Sequence, residues 1–284
     1  MTDLLKPDGH ATAAPDGERL VAAPDARHPN VETPARRLDG ERPDAVRFEG
    51  VEKRYGRLDV LRGLTLGLPR GTVTALVGPN GSGKTTLLKI LLGLVRPDAG
   101  TVAVFGPDGR PVDGDVRATL GYMPQSPRFP ENLTGREVLD LVRGLRPGAD
   151  TDTELLDVFG LETFLDRPVR TLSGGQRQRI SAAVTMLFRP TVVVLDEPTA
   201  GLDPIASAAL KDKVLAARDA GTTFLLTSHV MSEVAELSDR VAYLHEGRVA
   251  FAGAPHDLSA RTGEAVLERA VAALMQGQMQ KVQG

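Results

Sequence analysis

Thr72-Val73-Thr74-Ala75-Leu76-Val77-Gly78-Pro79-Asn80-Gly81-Ser82-Gly83-Lys84-Thr85-Thr86-Leu87-Leu88-Lys89-Ile90-Leu91-Leu92 reads as a buried strand, a glycine loop and a helix in immediate succession. That context turns the G-x-x-x-x-G-K-[ST] pattern of Gly78 to Thr85 into a phosphate site. Without Cβ atoms the loop backbone is free to curl and aim several N–H groups at one anion. The helix start adds unpaired N–H groups and the positive end of its dipole. Lys84 brings a point charge to the outer phosphates, the Thr85 hydroxyl is the expected Mg²⁺ ligand, and Thr86 reaches an inner phosphate. The stretch therefore predicts binding of a nucleoside triphosphate, without saying what the energy is used for.

Working outward, the rest of the chain narrows the class. Its 284 residues suffice for one large domain or two small ones. A formal net charge of −3 lacks the basic excess of a nucleic-acid binder, so no nucleic-acid partner is expected. With no cysteine, neither a disulfide scaffold nor a thiolate metal site is possible, in keeping with a reducing compartment. No apolar run approaches the roughly 20 residues that span a bilayer, and the N-terminus has no signal-peptide core. A role at a membrane would need another chain to supply the spanning helices.

Residues 1 to 44 are punctuated by Pro7, Pro15, Pro24, Pro29, Pro34 and Pro43 and show no hydrophobic period, which predicts a disordered tail. From Ala45 onward, Val46–Val51, Val60–Leu66 and Thr101–Gly106 alternate as strands of an antiparallel sheet beside the nucleotide core. Tyr55 follows the first of these, at the end of a polar turn. It either stacks on a nucleobase or packs on its own sheet.

Gly121–Met123 reads as a strand end stopped by Pro124, with Gln125 opening the next segment. Helical spacing follows from Leu133 to Leu145, opened by a Thr134/Glu137 capping box, and again from Asp152 to Phe159. Then Ser173-Gly174-Gly175-Gln176 stands at the start of a third helix that runs to about Phe188. A serine and two glycines at a helix N-terminus form a second anion-receptive surface. One chain with one phosphate loop has no use for two, so this surface is expected to face a nucleotide held by another subunit.

Thr191–Leu195 is continuously apolar, as in a parallel strand covered on both faces, and it ends in Asp196-Glu197. Adjacent carboxylates at a strand's C-terminal end suit Mg²⁺ binding by Asp196 and polarisation of an attacking water by Glu197. Thr223–Ser228 is a further buried strand with His229 at its tip. A lone histidine is commonly structural, but open α/β sheets bind ligands at this edge. Residues Thr262 to Gln280 carry an amphipathic helical pattern whose apolar face needs a cover, either the core or a partner. In it Met275 and Met279 are read as packing in preference to a soft-metal pair.

Taken in order, Gly78–Thr85, Gln125, Leu172–Gln176, Val192–Glu197, Asp203 and His229 resemble the ATP-binding subunit of an ABC transporter, over about residues 45 to 254. The resemblance implies an α/β P-loop NTPase fold: a RecA-like core, an antiparallel β subdomain, and an α-helical subdomain inserted at about 126–189. Residues 255–284 would be a C-terminal helical extension. It implies two copies, or this chain and a close paralogue, meeting head to tail across two ATP molecules with Mg²⁺. Tyr55 would then stack on adenine. Ser173, Gly174, Gly175 and Gln176 of one subunit would close on the other's γ-phosphate, Asp203 would communicate across the dimer, and His229 would contact the γ-phosphate. Gln125 would sense Mg²⁺ or the attacking water. The implied setting is the cytoplasmic face of a membrane, reached through an integral permease subunit.

Gly121–Gln125, Arg128–Thr134, Asp203–Ala206 and Thr227–Glu233 are in addition similar to one subgroup, the ATPase for copper-site maturation of nitrous oxide reductase. That subgroup implies a periplasmic accessory protein as a further partner. The competing class is an ABC-type ATPase acting on DNA or the ribosome. The stretch between Gln125 and Leu172 is too short for the coiled coil of the DNA-acting kind, and one phosphate loop does not match the paired domains of the translation factors.

Overall fold

The computed structural model describes residues 42–114 and 116–283, with side chains to 276. The expected N-terminal tail lies almost wholly outside them. Two sheets organise the rest. Strands β1 (Asp44–Tyr55), β2 (Leu58–Pro69) and β4 (Ala99–Val104) form a three-stranded antiparallel sheet in the order β2-β1-β4. Strands β3 (Val73–Val77), β5 (Leu120–Met123), β6 (Val192–Asp196), β7 (Thr223–Thr227), β8 (Arg240–His245) and β9 (Arg248–Gly253) form the second, in the order β5-β6-β7-β3-β8-β9. All its pairings are parallel except β8–β9.

β6 shows why the apolar run had to be continuous. Val193 and Leu195 face one core cluster while Val192 and Val194 face another. Side chains alternate across a strand, so a strand covered on both sides is apolar at nearly every position. One cover carries α4 (Gly174–Met186) and α5 (Pro204–Asp219), together with α2 (Gly135–Gly144) and α3 (Glu154–Val158). The other carries α1 (Lys84–Leu91) and the inward face of the antiparallel sheet.

Local signals set most boundaries. Thr134 caps α2, its hydroxyl accepting from the Glu137 N–H at 3.2 Å while the Glu137 carboxylate accepts from the Thr134 N–H at 2.7 Å. Asp203 caps α5, accepting from the N–H groups of Ile205 and Ala206 at 3.1 and 3.0 Å. The chain's last part differs from the single amphipathic helix expected. After α6 (Met231–Leu237) come two helices, α7 (Pro255–Thr262) and α8 (Leu267–Gln283). Gly263, at φ 76°, ends α7 in the left-handed region, where glycine pays no Cβ penalty. The apolar face of α8 is covered from within the chain. Leu267, Ala270, Val271 and Leu274 pack with Ala75, Val77, Val234, Val241 and Tyr243, and Met275 joins this cluster. Val266 stays 54% exposed, and the Met279 side chain lies outside the described set.

Candidate functional site

The strand order puts the C-terminal ends of β6, β7 and β3 side by side, although β3 precedes the other two by more than a hundred residues. In an open α/β sheet this edge is where ligands bind. A cleft of about 320 Å³ opens there. Its lining includes Asn80, Gly81, Gly83, Lys84, Thr85, Thr86, Gln125, Asp196, Glu197 and His229. Ten of the residues singled out in the sequence therefore converge on one cavity.

The loop between β3 and α1 is packed too tightly for side chains at two points. A Cβ on Gly78, whose φ is 154°, would lie 2.2 Å from the Leu244 carbonyl oxygen. One on Gly83, at φ 107°, would lie 2.7 Å from Leu61 Cδ2 and 3.0 Å from the Val60 carbonyl oxygen. Lys84, the first residue of α1, donates from Nζ to the carbonyls of Gly78 at 2.7 Å and Pro79 at 3.0 Å. Burial pushes its ammonium below the ordinary lysine range, while the charges of Glu197 and Asp196 partly offset this. A half-buried cation at the start of a helix, with loop amides around it, is built to receive an anion.

The acidic side of the cleft is equally organised. Glu197 sits at φ 51°, a left-handed conformation that costs a non-glycine residue roughly 1–2 kcal/mol. Its N–H donates to the Thr227 carbonyl at 3.0 Å. Its carboxylate accepts from the His229 N–H at 3.1 Å and lies 3.2 Å from His229 Nε2. His229 is 64% exposed at its side chain, so the imidazole stays free to face a ligand. The turn bearing it is pinned from below. The Val230 N–H donates to Ser228 Oγ at 3.1 Å, and that hydroxyl donates to the buried Glu233 at 2.5 Å.

The cleft fits a nucleotide with Mg²⁺ by its donor chemistry. Among the described residues no cluster of three or more His, Cys, Asp or Glu offers a cation a cage of its own. One carboxylate (Asp196), one hydroxyl (Thr85) and one amide (Gln125) line the same cleft. That sparse set suits a hard cation that keeps its waters and shares phosphate oxygens.

Several expected residues lie elsewhere. Pro79, Ser82 and Gly78 belong to the loop but not to the cleft lining. Ser82 is buried, and its hydroxyl is without a partner among the described residues. Tyr55 ends β1 with 47% exposure, opposite the cleft residue Leu58 in the strand register, and Lys53 Nζ lies 5.5 Å from its ring centre. Ser173, Gly174, Gly175 and Gln176 are absent from the cleft lining, as is Asp203. The Ser173 hydroxyl accepts from the Gln176 N–H at 3.2 Å, and Gln176 Oε1 accepts from the Ser173 N–H at 2.9 Å. This capping box consumes two donors and leaves the Gly174 and Gly175 amides, which helix geometry provides with no intrahelical acceptor. Gly175 lies under the next segment: a Cβ there would be 2.7 Å from the Gly201 carbonyl oxygen. Asp203 also pairs with Arg179 of α4. The Ala206 N–H and Arg179 hold its carboxyl below the usual range.

The sequence reading missed Leu58, Val60 and Thr227, which also line the cleft. Both Leu58 and Val60 come from the antiparallel sheet; Val60 carried only a strand signal, and Leu58 lay outside the expected strand. Thr227 looked like one more buried β-branched residue.

Comparison with known proteins shows the family. The ABC transporter family profile matches residues 61–200. The chain is 41% identical over 224 residues to the daunorubicin resistance ATP-binding protein DrrA3 of Streptomyces coeruleorubidus, covering 77% of this chain and 71% of that one. It is 38% identical to the Nod factor export ATP-binding protein I of Ralstonia nicotianae, covering 74% of this chain and 67% of that one. Among solved structures, an ATP-binding subunit of an ABC transporter superposes with a TM-score of 0.76 at 29% identity, over 81% of this chain and 99% of the other. A dimeric ATP-binding cassette in a post-hydrolysis state, bound to ADP and Pi, gives 0.65 at 26%, over 74% and 98%. The fold is that of a P-loop NTPase, and the chain belongs to the ATP-binding subunits of ABC transporters, ATPases that bind ATP with Mg²⁺ and couple its hydrolysis to transport.

Proposed function

We propose that this chain powers an export permease from the cytoplasmic side, as one half of a nucleotide-bridged dimer. Subunits of this family dimerise and pair with membrane permease components. Among the described residues no helix is long and apolar enough to cross a membrane, so attachment through such a permease is part of the proposal. Residues 45–254 form the nucleotide-binding domain, 126–189 its helical subdomain, and 255–284 an extension packed on it.

The observation that carries the catalytic reading is the double contact of Glu197 with His229 at the mouth of the cleft. Glu197 orients the attacking water, and His229 and Lys84 carry charge that develops on the γ-phosphate. Gly78 to Thr86 wrap the phosphates, and Tyr55 takes the adenine. Thr85, Gln125 and Asp196 would hold Mg²⁺, which supplies charge neutralisation at the phosphate oxygens when bound. Ser173, Gly174, Gly175 and Gln176 serve the partner's nucleotide, and Asp203 links the two sites.

Export, with a small amphipathic organic molecule as cargo, is supported by relatives named for daunorubicin resistance and Nod factor export. The narrower reading, copper-site maturation of nitrous oxide reductase with a periplasmic accessory protein, rests on the similarity of Gly121–Gln125, Arg128–Thr134, Asp203–Ala206 and Thr227–Glu233 to that subgroup. Purification of the chain with its membrane partner, followed by ATPase assays with candidate cargoes, separates the two. Stimulation by an organic amphipath supports export. Stimulation that requires a periplasmic protein, and no organic compound, overturns it in favour of the copper system.

A further inference from the structure

Thr227 makes two bonds that no reading of the site has used. Its hydroxyl donates to Asp196 Oδ1 at 2.5 Å, and its carbonyl accepts the Glu197 N–H at 3.0 Å. The parallel register places Asp196 directly beside Thr227, so both side chains emerge on the same side of the sheet. Thr227 is 3% exposed, and a β-branched side chain in a strand has few χ1 choices. The hydroxyl direction is therefore set by the fold and not by the ligand.

We infer that Thr227 is a positioning residue for the metal-holding carboxylate. By occupying Oδ1 with a short, charge-assisted hydrogen bond, it holds Asp196 in one rotamer and presents Oδ2 to the cation and its waters. Hydrogen-bond partners of ligating carboxylates contribute to metal affinity in this way, and their loss costs on the order of 10- to 100-fold. The same residue anchors the strained Glu197 backbone through its carbonyl, which substitution of the side chain leaves in place. The inference rests on the proposal that Asp196 serves Mg²⁺.

The test is metal binding, read by electron paramagnetic resonance of Mn²⁺ added to the full chain with a non-hydrolysable ATP analogue. T227V keeps the shape and removes the hydroxyl, T227A removes it without adding a methyl, and T227S keeps it. Mn²⁺ affinity should fall about tenfold in T227V and T227A and return in T227S. Analogue binding in EDTA should stay unchanged in all three, which also certifies the fold. Wild-type Mn²⁺ affinity in T227V or T227A, or an equal loss in T227S, overturns the inference. D196N distinguishes the failures. If D196N also leaves Mn²⁺ affinity unchanged, the metal role of Asp196 falls. If D196N weakens Mn²⁺ binding and T227V does not, only the role of Thr227 falls.

Discussion

The cleft at the ends of β3, β6 and β7 and the N-terminus of α4 are both suited to anions, yet they are completed to different degrees. In the cleft, a cation, two carboxylates, a hydroxyl and an imidazole converge from three separate stretches of chain. At α4 the Ser173 and Gln176 side chains satisfy each other's N–H groups, and two glycine amides are left without an intrahelical acceptor. Under the proposed function, the cleft is a hydrolytic apparatus lacking one wall, and α4 is the wall offered to a partner's site. Such a pair of half-surfaces on one chain is complementary when two copies meet about a two-fold axis. The contact of Gly175 with Gly201 and the pairing of Arg179 with Asp203 tie α4 to the segment that follows Glu197.

The sharpest way to probe the cleft half is Glu197→Gln. Turnover should fall on the order of 10³-fold, by phosphate release, with ATP affinity nearly unchanged. Equal loss of both would move Glu197 from catalysis to binding. The division between halves is broken or upheld by mixing variants. Lys84→Ala disables the cleft and Ser173→Glu sets a negative charge against the partner's phosphates, so each alone should be inactive. Their mixture should regain roughly a quarter of wild-type turnover, because about half of randomly paired dimers carry one intact composite site. No recovery would place Ser173 in its own subunit's site.

A third probe compares two glycines of the loop. Gly78→Ala drives a Cβ into the Leu244 carbonyl and should weaken ATP binding on the order of 100-fold. Gly81 has open space around it and only a positive φ, 79°, to defend, so Gly81→Ala should cost about tenfold. Titration calorimetry that ranks them in reverse would contradict the packing described. The smallest effect concerns pH. Since burial lowers the Lys84 pKa, the ammonium is lost at a lower pH than an ordinary lysine's. ATP affinity should therefore decline several-fold as alkaline pH approaches the normal lysine value of about 10.4. Lys84→Arg, charged throughout, should flatten that limb.

Much of this was legible in the chain because the signals are local. A strand, a glycine loop and a helix follow one another from Thr72 to Leu92, and the run Thr191–Leu195 announces a strand covered on both sides. The capping box at Thr134 is a four-residue pattern, readable because its partner Glu137 sits one helical turn away, and Ser173 was legible as a helix start. The helix break at Gly263 was missed: a glycine among polar residues looks the same whether it interrupts a helix or decorates its surface.

What the amino-acid order settled by itself was the inventory: which residues form the glycine loop, which carboxylates end a strand, which serine opens a helix. Those follow from neighbours within a turn or a strand's length. Only the tertiary structure decided the pairings. The hydroxyl of Thr227 meets Asp196 because β6 and β7 lie parallel and in one register. Leu58 and Val60 wall the cleft because the antiparallel sheet packs against the loop. The apolar face of α8 closes on β3, β8 and α6. Each of these contacts joins residues dozens to hundreds of positions apart, and no sequence period encodes which strand a buried side chain will find beside it.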